Sequence, residues 1–233
     1  MFLFLGGGIQ MLYFTKQEMI LWGGSVILIL GAFLIFGGGY WSLTASLIGV
    51  TSLIFAAKGN PLAQVLMIVF SLIYGWISYQ YSYYGEMITY LGMTMPMAVI
   101  SLISWLRHPY KGSHAQVEIH QVSRKELKII FLATALVTII FYFILKYLHT
   151  ANLIFSTVSV LTSFLAVSLT YFRSPYYALA YASNDLILII LWGMACKEDI
   201  AYSSVLICFI VFLVNDIYGF LSWKRMEKVQ HSA

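Results

Sequence analysis

Charged residues are scarce in this chain: 13 lysines and arginines and 9 aspartates and glutamates account for only 9% of its 233 residues. A water-soluble domain carries about 25% charged residues, so this chain lacks the side chains that would cover a surface in water. Cysteine is rare too, and we expect Cys196 and Cys208 to pack as apolar residues rather than to form a disulfide. Hydrophobic residues make up 61% of the chain. This composition indicates an integral membrane protein.

The apolar residues form eight segments, each about long enough for a helix to cross the roughly 30 Å hydrocarbon core. Backbone groups in lipid must be hydrogen-bonded internally, and the alternating pattern of a membrane barrel is missing. The predicted helices cover residues 20–36, 43–57, 62–79, 87–106, 127–145, 153–172, 176–195 and 200–222. We therefore expect one all-α membrane domain over residues 1–233. Residues 1–14 hold no basic stretch typical of a signal peptide, so the first helix should stay in the mature protein.

The basic residues predict the orientation of these helices. If the polar loop of residues 107–126 is cytoplasmic, all 13 lysines and arginines except Lys146 and Lys197 fall on the cytoplasmic side. Eight helices then place both termini in the cytoplasm, and we expect a multi-pass protein of the plasma (inner) membrane.

Two similar strings predict an internal repeat. LISWLR at residues 102–107 resembles FLSWKR at residues 220–225, and Pro61 and Pro175 open helices earlier in each unit. We expect an extra N-terminal helix at residues 18–38 and two three-helix repeats at residues 40–107 and 151–223. A linker helix at residues 127–148 would give both repeats the same orientation. Such parallel repeats are typical of transporters that bind a substrate between their halves.

Two carboxylates lie within predicted helices, where each charge costs about 2.5–3.5 kcal/mol on insertion scales. They are Asp185 and Asp216; each follows an asparagine, Asn184 or Asn215, and Trp192 stands eight residues after the first asparagine. Polar residues that face a bundle interior usually mark a substrate pathway, so we predict that these five residues bind substrate. The alternative is that the amides and carboxyls only join neighbouring helices.

Other candidates are less specific. Gln64 lies one turn inside the third helix, and Tyr74 and Trp76 belong to a run of aromatic residues that continues to Tyr84. These three are added to the predicted binding site, although an aromatic belt at the outer membrane boundary also explains the run. Trp105 and Trp223 are each followed by basic residues and are expected in the inner aromatic belt.

Known catalytic and cofactor motifs are missing, so we expect neither an enzyme nor a bound cofactor. His108, His114 and His120 recur every six residues in the polar loop, which favours a solvated loop over a zinc site. The basic residues are explained by membrane orientation, so no nucleic-acid partner is expected. The remaining enzymatic hypothesis is an acid pair of Asp185 and Asp216, which requires the two carboxyls to be in contact.

Four ordered strings carry a family resemblance. They are KGNPL at 58–62, YGW at 74–76, YYGE at 83–86 and NDIYGFLSW at 215–223. They resemble the PnuC family of vitamin transporters, and the similarity covers about residues 40–228. The resemblance implies a 3+1+3 helix arrangement like that of the SWEET sugar transporters, with one additional N-terminal helix.

The resemblance also implies facilitated diffusion of nicotinamide riboside, which a cytoplasmic kinase would trap as a phosphate. The cationic ring of this vitamin suits an indole face, for which Trp192 is the best candidate. The amides and carboxylate of Asn184, Asn215 and Asp216 suit its hydroxyls and carboxamide. Thiamine, another vitamin or a nucleoside stays open as the cargo. Coupling to H⁺ or Na⁺ through Asp185 or Asp216 and a homo-oligomeric assembly also stay open.

Overall fold

The computed structural model describes residues 13–37, 39–80, 84–150, 152–197 and 199–232. These ranges hold a small antiparallel hairpin of β1 (Pro109–Tyr110) and β2 (Ser113–Val117) and nine α-helices. The helices are α1 (Lys16–Phe36), α2 (Tyr40–Ala57), α3 (Leu62–Gln80), α4 (Tyr84–Thr89), α5 (Met95–Arg107), α6 (Arg124–Tyr147), α7 (Leu153–Tyr171), α8 (Tyr176–Ala195) and α9 (Ser203–Ser232).

Eight of the described segments are long and apolar enough to cross a membrane, which confirms the predicted eight-helix membrane fold. The fourth runs without a break through α4, a π-helical turn at Tyr90–Thr94 and α5. Pro96 has no N–H to donate, and the wider π turn just before it accommodates the change in hydrogen bonding. This segment begins at Tyr84, three residues earlier than expected, so Glu86 lies inside a helix rather than before one.

The two ends of the helix bundle differ in charge. One end holds the start of α1, the α2–α3 and α7–α8 turns, the hairpin and the end of α9; we call it the basic end. Because successive helices alternate in direction, all lysines and arginines except Lys146 and Lys197 fall at this end. The opposite end holds the α3–α4, α6–α7 and α8–α9 connections.

Two buried tryptophans pack together near the basic end. The rings of Trp105 and Trp223 are fully buried, with centroids 5.5 Å apart. The indole N–H of Trp105 donates to the carbonyl of Thr170 (2.8 Å), and that of Trp223 donates to the carbonyl of Ala56 (2.7 Å). The expectation that both lie in an aromatic belt was wrong, because these indoles satisfy their N–H groups inside the protein. Each bond joins one predicted repeat to the other, while the repeat itself stays a prediction.

The polar loop also differs from the expected solvated loop. Its segment after β2 packs under the bundle, with Val117 fully buried and Ile119 only 5% exposed, in contact with the tryptophan cluster. His120 pairs with Glu126 at 3.1 Å and His108 contacts Arg173 at 2.9 Å, so these two histidines serve local packing.

Helix α1 packs against α2 and α9. A capping box starts it, in which Thr15 and Glu18 exchange hydrogen bonds with each other's backbone N–H. Glu18 is buried and also accepts from Lys58 Nζ (3.3 Å) and the Tyr218 hydroxyl (3.2 Å). These bonds hold the additional N-terminal helix to the basic end of the bundle.

Candidate functional site

A cavity of about 740 Å³ lies between α2, α3, α4, α7, α8 and α9. At the opposite end its wall includes residues 84–86 and 148–150 and Tyr202, which belong to helix ends and connections. Its deepest wall includes Ala56, Thr170 and Tyr177, just above the buried tryptophans. The volume lies in the range of small-molecule sites. The cavity therefore extends from the opposite end toward the basic end, where the tryptophan cluster is packed.

Six of the eight residues predicted to bind substrate line this cavity. They are Gln64, Tyr74, Asn184, Asp185, Trp192 and Asp216. They come from α3 and from the consecutive helices α8 and α9, about 100 residues further along the chain, so the fold brings them together. Whether they bind substrate stays a prediction.

Two predicted residues, Trp76 and Asn215, lie elsewhere. Trp76 is 53% exposed and its ring lies 6.0 Å from that of Tyr79, an arrangement that fits the aromatic belt. Tyr81 and Tyr83 of the same run lie outside the described residues. Asn215 is buried against α1, where its amide donates to Ser25 Oγ (2.9 Å); the same amide donates to the Val211 carbonyl of its own helix (2.8 Å). Its geometry fits the alternative that the sequence left open, a bond between helices.

The carboxyls of Asp185 and Asp216 lie within hydrogen-bonding reach of each other across α8 and α9. Both side chains are almost completely buried, and Asp185 Oδ2 has no hydrogen-bond partner among the described residues. Two like charges in contact repel each other, so this pair favours a positively charged group in the cavity.

Asn184 is held on the cavity wall by the neighbouring helix α7. Its Oδ1 accepts hydrogen bonds from Ser159 Oγ and Thr162 Oγ1, both at 2.9 Å. Because its amide is fixed by two hydroxyls at a site that solute can reach, Asn184 offers a preorganised polar contact.

Aromatic side chains form much of the remaining wall. The rings of Trp192 and Tyr202 lie 5.5 Å apart near the opposite end, and those of Tyr74 and Tyr90 lie 4.5 Å apart. Such faces can stack on a flat cationic ring.

Sequence reasoning missed several lining residues, of which Glu86 is the most informative. Its carboxyl lines the cavity and lies close enough to Tyr74 to interact with it electrostatically. It was assigned to a turn before the helix, although it is the last residue of the YYGE string. Tyr177 and Tyr181 of α8 also line the cavity and were missed. The sequence of an apolar segment does not indicate whether a tyrosine in it faces lipid or the interior of the bundle. Among the described residues that line the cavity there is no lysine or arginine.

These features define a class of protein. Eight membrane helices enclose a polar, acidic and aromatic cavity that extends toward one side of the bundle and stops at a packed cluster near the other. This is the arrangement of a membrane transporter that holds a small solute between its helices.

Comparison with known proteins gives the family. The family model described as nicotinamide mononucleotide transporter matches residues 39–225, and the chain belongs to this family. It is 24% identical over 194 residues to the nicotinamide riboside transporter PnuC of Neisseria mucosa, covering 81% of this chain and 73% of that relative.

A solved structure agrees with the fold. The crystal structure of the vitamin B3 transporter PnuC has a TM-score of 0.80 and 20% identity, covering 93% of this chain and 94% of its own. The PnuC resemblance is thus confirmed, and the chain is a transporter rather than an enzyme. The acid-pair enzyme hypothesis is therefore set aside, although the two carboxyls do lie in contact.

Proposed function

We propose that this protein carries nicotinamide riboside across the plasma membrane by facilitated diffusion. The observation that carries the proposal is the cavity itself, in which three carboxyls and several aromatic rings face the solute and no described lysine or arginine does. Nicotinamide riboside combines a positively charged aromatic ring with a ribose and a carboxamide, and each of these groups has a chemical counterpart in that wall.

The charge of the wall favours the riboside over the mononucleotide. The mononucleotide adds a phosphate, which would meet Glu86, Asp185 and Asp216 and, among the described lining residues, no lysine or arginine. The riboside places its positive ring among the same carboxyls. Trp192 is our candidate for stacking on that ring, and Asn184 and Gln64 are candidates for hydrogen bonds to its polar groups.

We assign the basic end to the cytoplasm, with both termini on that side, because cytoplasmic loops of membrane proteins carry an excess of lysine and arginine. The cavity then extends toward the outside and is closed toward the cytoplasm. A kinase that phosphorylates the arriving riboside would trap it, since the acidic cavity rejects the phosphate on its way back. The reciprocal indole bonds of Trp105 and Trp223 support a parallel arrangement of two repeats around this path.

A second candidate is ion-coupled uptake through Asp185 and Asp216. The contact between their carboxyls and the unpartnered Oδ2 of Asp185 favour it, because buried carboxyls are the usual proton relays of transporters. Thiamine is a further candidate cargo, since it is also an aromatic cation with a hydroxyl.

Uptake of labelled nicotinamide riboside into proteoliposomes tests these proposals. We expect saturable uptake that excess unlabelled riboside blocks, that nicotinamide mononucleotide blocks poorly and that an imposed pH or Na⁺ gradient does not change. Saturable thiamine uptake without riboside uptake would refute the cargo. Concentrative uptake under a gradient would refute facilitated diffusion and favour coupling through the carboxyl pair.

A further inference from the structure

Glu86 occupies a fixed position where the cavity reaches the opposite end. It lies in the first turn of α4, directly after Gly85. A Cβ on Gly85 would come within 2.7 Å of Thr150 Oγ1 and 2.9 Å of Leu145 Cδ2. This close approach packs the start of α4 against the end of α6 and the α6–α7 connection. Because of it, the backbone that carries Glu86 is held against the rim of the cavity.

The carboxyl of Glu86 has packed aromatic neighbours. Tyr74 lies close enough to interact with it electrostatically, and the Tyr74 ring is packed between Phe70 (5.6 Å) and Tyr90 (4.5 Å). Tyr90 lies close enough to interact electrostatically with both Glu86 and Asp185. The carboxyls of the cavity therefore follow one another from the rim inward, and Glu86 is the outermost.

We propose that Glu86 is the residue that selects the positively charged ring of the substrate as it enters. This inference rests on the proposed cargo and adds the residue that discriminates by charge. Asp185 and Asp216 lie beside each other, so their repulsion limits the net charge they present, whereas the described neighbours of the Glu86 carboxyl are Tyr74 and Tyr90 rather than a second carboxyl. Glu86 is the one carboxylate at the rim among the described lining residues, and it is well placed there to attract a cation and to repel a phosphate.

The test compares two ligands of nearly the same shape. Nicotinamide riboside carries a positive ring, and its reduced dihydro form carries the same sugar and carboxamide on a neutral ring. The dissociation constants of both ligands are measured by calorimetry on purified wild type and on E86Q. Glutamine keeps the size and polarity of the side chain but removes the charge. We expect E86Q to weaken binding of the cation about tenfold, which corresponds to about 1.4 kcal/mol, and to leave the reduced form within about twofold.

Two further variants complete the design. E86D keeps the charge and should keep most of the preference for the cation. D199N makes the same charge change at the same end of the molecule, outside the cavity lining, and Asn preserves the cap on Ala201 N. An equal loss for both ligands in E86Q, or an unchanged preference, would overturn the role of Glu86. Failure of wild type to bind nicotinamide riboside would instead refute the cargo.

A second, independent set of contacts lies at the basic end. Residues 116–120, which we call the clasp, connect the two turns of that end through backbone bonds. Val117 N donates to the Gly59 carbonyl (2.9 Å) in the α2–α3 turn, and His120 N donates to the Arg173 carbonyl (3.2 Å) in the α7–α8 turn. The clasp therefore contacts both predicted repeats.

The clasp is bound to α9 as well. Gln230 accepts from Ile119 N (2.7 Å) and donates to the Val117 carbonyl (3.1 Å), so one side chain satisfies two backbone groups. Arg173 Nε adds a bond to the Glu118 carbonyl (3.1 Å). Burial lowers the pKa of the Arg173 guanidinium, yet arginine stays charged at physiological pH. Movement of the clasp away from α9 must break both bonds of Gln230.

The geometry points to the clasp as the lock that keeps the basic end closed while the cavity faces the opposite end. Release of substrate on the basic side then requires the clasp to part from α9, to which the Gln230 side chain binds it.

Cross-linking tests this role directly. The ends of the Gln116 and Met226 side chains are in contact, so a reducible bis-methanethiosulfonate reagent of side-chain length should join Q116C to M226C in a C196A/C208A background and thereby the clasp to α9. We expect the cross-linked protein to bind substrate normally in detergent but to lose transport in proteoliposomes, and a reductant to restore it. The single-cysteine variants are the controls. Undiminished transport by fully cross-linked protein would overturn the lock.

A second variant tests the role of the clasp without any cross-link. Q230A leaves two backbone groups of the clasp without their partner, so the transport rate should change at least twofold while substrate affinity in detergent stays unchanged. An unchanged rate in Q230A would also overturn the proposal.

Discussion

Replacing Trp223 with phenylalanine tests whether the buried tryptophan pair stabilises the basic end. W223F removes the N–H that donates to the Ala56 carbonyl at 2.7 Å and shrinks a ring whose centroid lies 4.9 Å from that of Tyr177. The Ala56 carbonyl also accepts from Gly59 N, so it is not left without a partner and the lost bond is worth about 1 kcal/mol. The void left by the smaller ring adds about 1 kcal/mol.

The expected destabilisation of about 2 kcal/mol lowers the Tm by about 4–8 °C for a chain of this size. Thermal unfolding of the detergent-solubilised protein measures it. W105F, which loses the bond to the Thr170 carbonyl, should behave similarly. W41F is the control, because Trp41 is 60% exposed and its replacement should change stability by no more than about 0.5 kcal/mol. If W223F and W41F have the same Tm, the proposed contribution of the buried pair is refuted.

Two further predictions concern close packing and the two asparagines. G75A places a Cβ 2.5 Å from Leu91 Cγ and should destabilise the protein by about 1–3 kcal/mol, whereas G193A meets nothing within 4 Å and should be tolerated; equal Tm values would contradict this. N184A should weaken nicotinamide riboside binding about tenfold, by loss of a polar contact on the cavity wall. N215A should lower the Tm through the lost bond to α1 and leave the affinity unchanged; a loss of affinity in N215A alone would contradict the assignment of its role.

The number and order of the membrane helices were readable from local sequence. A membrane helix needs a long apolar segment, and this requirement depends only on neighbouring residues. The helix ends were predicted less well. Helix α1 begins at Lys16, after the capping box of Thr15 and Glu18, rather than at residue 20, and α9 continues to Ser232 rather than ending at residue 222. At Tyr84, a glycine and a glutamate looked like a turn but form the first turn of α4.

The direction in which each polar residue faces was not readable. Asn184 and Asp185 both reach the cavity from α8, whereas in the equivalent pair of α9 only Asp216 does and Asn215 binds α1. In a soluble helix the polar face indicates the direction of water. In a membrane the faces toward lipid and toward other helices are both apolar, so this pattern carries little information.

The sequence by itself therefore determined the scarcity of charge, the eight membrane helices and the charge difference between the two ends, because each follows from composition and segment length. Only the tertiary structure decided that Glu86 joins Asp185 and Asp216 in one cavity and that Trp105 and Trp223 are buried. The physical reason is that these arrangements depend on how each helix is rotated against its neighbours, and that rotation is set by contacts between residues far apart in the chain.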